Sequence, residues 1–154
     1  MIWSNSRAVS ITLNYTIAIG ITTLLTTGLI IGAGGLLESQ QERVARQQAD
    51  EIGADILSQA DRLDRIHEST ASSETTVQLE YPSRLVGSSY RVSFEQRAER
   101  FDGFAWTLRI DSQALSGDAV YPVPGSISVA ASSARGESPE LSQCRNGTIK
   151  FGGC

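Results

Sequence analysis

Between Ala8 and Leu37 the chain carries no charged residue, and the only charge before Glu38 is Arg7. Lysine is nearly missing throughout, Lys150 being the one example, and the formal net charge is −4. An acidic chain with no basic run along its sequence lacks what phosphate neutralisation requires, so nucleic acid is not an expected partner. Histidine occurs once, as His67, with no nucleophile motif nearby, so a Ser-His-Asp arrangement has nothing to build on. His67 reads instead as a solvated residue at a helix end. The two cysteines, Cys144 and Cys154, are not spaced as C-x-x-C and lie far from His67, which removes zinc and thioredoxin-like chemistry. Asp61 and Asp64 could share a cation, but Arg62 and Arg65 beside them make charge pairs the simpler reading. Gly32 to Gly35 belongs to the apolar run and is not a phosphate loop. The sequence therefore predicts no catalytic residue, no metal and no cofactor, and the expected function is non-enzymatic.

What the chain does have is that uncharged run, 30 residues from Ala8 to Leu37. As a helix it would be about 45 Å long, more than the ~30 Å hydrocarbon core of a bilayer. A single-pass membrane helix is predicted, with the lipid bilayer as its first partner. Arg7, the only charge ahead of the span, places the N-terminus in the cytoplasm and the polar remainder outside the cell. The six threonines of the run are tolerable in lipid because their hydroxyls can bond back to carbonyls of the preceding turn. Asn14 needs a place near the interface or against another helix. Gly28 and Gly32 form a GxxxG spacing that would let a second helix approach closely.

From Glu38 to about His67 the pattern stays helical. Val44, Gln48, Ile52, Ile56, Ala60, Leu63 and Ile66 recur every three or four residues, while Glu42 with Arg46 and Asp61 with Arg65 make i,i+4 pairs. One helix of about sixty residues is expected, and its apolar stripe has to be covered by the C-terminal part of the chain. Alternation then predicts strands at Val77 to Tyr81, Tyr90 to Phe94 and Phe104 to Ile110, with Phe104, Trp106 and Leu108 facing the core. Two more are expected at Ile127 to Ala131 and Thr148 to Phe151, making five short strands in one meander. YPVPG and the stretch from Ser132 to Ser142 read as connections. In an exported domain Cys144 and Cys154 read as a disulfide. Asn146-Gly147-Thr148 between them is both a hairpin-turn signal and a possible N-glycosylation acceptor at Asn146. The fold class is α+β: a long N-terminal helix, half transmembrane and half amphipathic, packed on a small antiparallel sheet. The segments are a leader over 1–7, a span over 8–37, an amphipathic helix over 38–68 and an exported β domain over 75–154.

Arg7-Ala8-Val9-Ser10 leading directly into an uncharged helix resembles the archaeal type IV pilin family and its small exported relatives in haloarchaea. The resemblance implies that a prepilin peptidase cuts between Arg7 and Ala8. It also implies that the freed helix packs with other pilin-like subunits, as in a minor pilin, a pseudopilin or an assembly partner. A long helix capped by a sheet is similar to the pilin fold, and a C-terminal disulfide is similar to the loop many bacterial pilins close. Two other readings remain open. The helix can stay in the bilayer permanently and display a binding module, or Gly32-Ala33-Gly34 can be a signal cleavage site that releases a secreted protein.

Overall fold

The computed structural model describes the backbone of residues 6–69, 74–101 and 104–154, and side chains within 13–69, 74–97 and 105–154. Helix α1 is Ser6–Ser69, 64 residues, as the unbroken run of helical periodicity requires. Among the described residues seven strands follow: β1 (Thr75–Gln78), β2 (Tyr90–Phe101), β3 (Phe104–Ser112), β4 (Ala119–Pro122), β5 (Ser132–Arg135), β6 (Glu140–Gln143) and β7 (Ile149–Phe151). The chain divides into two compact units, one ending at Gln40 and the other Gln41–Cys154.

In the second unit the helix lies against two antiparallel sheets, ordered β1-β6-β7 and β4-β3-β2-β5. Its buried side is Ala45, Ala49, Ile52, Ile56, Ala60 and Leu63. These spacings of three and four keep one face turned inward. Val92, Phe94, Leu108 and Ile110 of the larger sheet and Leu141, Ile149 and Phe151 of the smaller one join them in a single core. The sheets meet where the rings of Phe94 and Phe151 stack at 4.7 Å between centroids.

The sheet is more elaborate than the expected five-stranded meander. The Ser- and Gly-rich stretch read as a connection contains β5 and β6, and β4 takes in the first two residues of YPVPG. Ile127 to Ala131 forms no strand; it contributes a single parallel bridge from Val129 to Ile149. β5 and β6 are four-residue strands of mostly small and polar residues, so their pairing comes from their neighbours rather than from an apolar alternation of their own.

Three residues expected inside lie elsewhere. Val44 and Ile66 are 47% and 46% exposed, because the helical period turns both to one flank of the face formed by Ala45, Ala49, Ile52, Ile56, Ala60 and Leu63. Trp106 is only partly buried against the core. Its pairing partner is Gln96, whereas β4 pairs only with Thr107 to Ile110 and β5 only with Arg91 to Phe94. Trp106 lies one residue past the β4 ladder, where its carbonyl still accepts from Val123 N–H at 3.0 Å. The side chain of Phe104, placed in the core by its alternation, lies outside the described residues.

Two tyrosines fasten the helix to the β structure. The Tyr121 ring crosses Gly53 so closely that a Cβ there would lie 2.6 Å from Cε2, and its hydroxyl donates to Asp50 Oδ1 at 2.7 Å. Tyr81 donates to Asp55 Oδ2 at 2.7 Å. Burial, then the neighbouring carboxylate, pushes both phenols well above the ordinary tyrosine range. Near the start of this unit, Ser116 donates to Glu42, whose carboxylate also pairs with Arg46 at 3.4 Å. The Ser116 hydrogen bond, aided by Arg46, holds the Glu42 carboxyl below its usual value.

Candidate functional site

The first unit offers a long uncharged, mostly aliphatic surface. Every described side chain from Leu13 to Leu37 is exposed, including Leu24, Leu29 and Ile31, each more than 70% so. Among the described residues this is the one helix long and apolar enough to cross a membrane. Its polar atoms are largely dealt with internally. Thr22, Thr23, Thr26 and Thr27 donate to the carbonyls of Ala18, Ile19, Thr22 and Thr23, each at 2.8 Å. Four hydroxyls are thus satisfied without water, as the sequence led one to expect. Asn14 differs, since its exposed amide finds no partner among the described residues. Around Gly28 and Gly32 an added Cβ would meet nothing within 4 Å. Arg7 and Ala8 fall in the first turn of α1, and their side chains lie outside the described residues.

At the other end of the chain Cys144 and Cys154 are joined by a disulfide. The bridge closes a loop that holds the β6–β7 turn and β7, starting at the residue after β6. Gly147 N–H donates to the Cys144 carbonyl at 2.8 Å and Cys144 N–H to the Thr148 carbonyl at 2.8 Å. Gly147 has φ +82°, a left-handed value that favours glycine. Asn146 is exposed and its Oδ1 accepts from Thr148 N–H at 3.1 Å, so the sequon is also a turn-stabilising Asx motif. His67 is not the solvated residue expected. It is half-buried, with Nε2 3.3 Å from where a Gly147 Cβ would stand. The turn-forming glycine therefore leaves room for the imidazole. Asp61 is committed to Arg65 at 2.9 Å, while partial burial and the nearby Glu68 and Asp61 raise the Asp64 carboxyl.

A family model matches residues 4–148, from ahead of α1 to the residue before β7. That is nearly the whole chain. It belongs to DUF7266, a family of unknown function. No curated protein and no solved structure matches it. For this DUF7266 chain the structure brings the two cysteines and Asn146 into one hairpin, and keeps Gly28 and Gly32 on an open helix surface. Sequence reasoning missed the Tyr81–Asp55 and Tyr121–Asp50 fastenings. An i,i+5 pair of aspartates on the polar flank of an amphipathic helix looks like ordinary solvated charge until the strands are placed.

Proposed function

We propose that this protein is a pilin-like, non-enzymatic component of the cell envelope. The first half of α1 is a single membrane span over 8–37, with the N-terminus cytoplasmic and the unit Gln41–Cys154 outside the cell. The observation that carries the reading is the fully exposed, uncharged surface from Leu13 to Leu37, with its threonine hydroxyls bonded to its own backbone. Such a surface is stable where no water competes for it, in lipid or among copies of itself. Gly28 and Gly32 supply the close-approach face of the second arrangement, and prepilin peptidase is the partner that would release the helix by cutting between Arg7 and Ala8.

The test is the mature N-terminus, read by intact mass on protein from its native membrane. A chain beginning at Ala8 supports pilin processing, and a blocked cut with Arg7→Glu would tie it to that junction. An intact Met1 on all molecules would instead leave a permanent anchor. A chain beginning at Gly35 would make it a secreted protein and overturn the proposal.

A further inference from the structure

Although the sequence has no basic run, the fold makes a basic cleft. The loop before β2, the end of β3 and the end of β5 border an open cleft of about 630 Å³. Arg84, Arg91 and Arg135 line it together with Asp111, Glu137 and Ser89. Arg91 sits directly across from Arg135 in the β2–β5 register and from Asp111 in the β2–β3 register. Like charges opposed on adjacent strands destabilise a sheet. The same face shows how such a charge is otherwise handled: Arg109 is held between Glu95 at 3.3 Å and Asp118 at 3.1 Å. Arg84, Arg91 and Arg135 make no ion pair among the described residues, even with Asp111 opposite.

The frame of the cleft is fixed in advance. Tyr90 donates from its hydroxyl to the Gly136 carbonyl at 3.0 Å, and Gly136 N–H returns to the Tyr90 carbonyl at 3.2 Å. Leu85 and Ser88 exchange backbone hydrogen bonds of 2.8 and 2.9 Å, which hold Arg84 and Ser89 on either side of a closed turn. The backbone that carries the arginines is thus preset, while their exposed side chains order on binding. The cleft is open and its charged lining residues are exposed, and it is wider than one oxyanion needs. Guanidinium groups suit a carboxylate or phosphate, whereas Asp111 and Glu137 repel a second anion and accept from hydroxyls. A polyhydroxylated molecule bearing one anionic group meets both requirements.

We propose that this cleft binds an acidic sugar, with its carboxylate or phosphate between Arg91 and Arg135, Arg84 at the rim, and its hydroxyls on Asp111 and Glu137. The proposal is independent of whether the first helix enters a filament. Titration calorimetry on the full-length protein in detergent, with glucuronate, glucose 6-phosphate, glucose and inorganic phosphate, tests it. Glucuronate or glucose 6-phosphate should bind saturably, the matching one showing which anion is preferred. Glucose should give no saturable heat, and inorganic phosphate should bind at least about tenfold more weakly than the preferred sugar. Arg91→Gln and Arg135→Gln should each weaken binding about tenfold through loss of a charge-assisted contact. Arg135→Gln should keep or raise the Tm, because it relieves the like-charge pair without removing the Arg91–Asp111 attraction. Absence of binding by both acidic sugars, equal binding of glucose, or unchanged affinity in both variants would overturn the site. Phosphate as tight as glucose 6-phosphate would overturn its assignment to a sugar.

Discussion

At the position of Gly53 two effects of opposite sign can be separated. Alanine is the better helix former by roughly 1 kcal/mol, so an open surface glycine would gain from the change. Here the new methyl would stand 2.6 Å from the Tyr121 ring, closer than carbon atoms approach. Gly53→Ala should therefore lower the Tm in the natural background and raise it in a Tyr121→Ala background, where the ring is gone. A lack of sign change in that double-mutant cycle would show that the ring does not press on the helix. Core truncations should track burial rather than size. Leu108, wholly buried, should cost about 2–5 kcal/mol on replacement by alanine. Trp106 is larger but only partly buried, so Trp106→Ala should cost less than Leu108→Ala in the same chemical denaturation series.

Among the elements, the helix was the most legible in the sequence, and the reason is its period. Ile52, Ile56, Ala60 and Leu63 repeat often enough to define a face, and the absence of charge from Ala8 to Leu37 marks the rest. The strands with apolar alternation, β2 and β3, were legible next, though β2 runs on past the expected Phe94 to Phe101. β5 and β6 were not, since Ser132–Arg135 and Glu140–Gln143 carry little apolar pattern and exist because β2 and β1 offer open edges beside them. The arginine cleft was invisible for the same reason: residues 84, 91 and 135 meet only once β5 is placed. The helix-to-strand fastenings give a pH test. The Tyr81 and Tyr121 phenols are raised in the folded state, so their contribution is complete below the unfolded value near 10 and is lost as pH rises beyond it. Stability should fall above about pH 10, and the fall should be shallower in the Tyr81→Phe/Tyr121→Phe protein. Glu42 works in the opposite direction, its depressed value supporting the fold until acid titrates it. The disulfide adds a third element-scale expectation. Reducing Cys144–Cys154 should cost on the order of 2–3 kcal/mol by releasing a short loop, measured as a lower denaturation midpoint with and without reductant.

For the molecule as a whole, the proposed function makes membrane retention and self-association separable, because each would depend on a different property of one helix. Retention depends on the length and lack of charge of the 8–37 segment, neither of which a leucine at Gly28 or Gly32 would alter. Close helix packing depends on small residues, and both glycines have open space beside them for another backbone to fill. The double change Gly28→Leu/Gly32→Leu should leave the protein in the carbonate-resistant membrane fraction at its natural level. It should sharply reduce the oligomers captured by cross-linking through a single cysteine placed at Gly20. If the oligomers persist undiminished, the glycine face does not mediate assembly. If they vanish together with membrane retention, the substitution has damaged the span itself, which an unchanged helical circular dichroism signal in detergent would argue against. Oligomer loss with retention intact is the outcome expected of a helix that uses one surface for lipid and for its own copies.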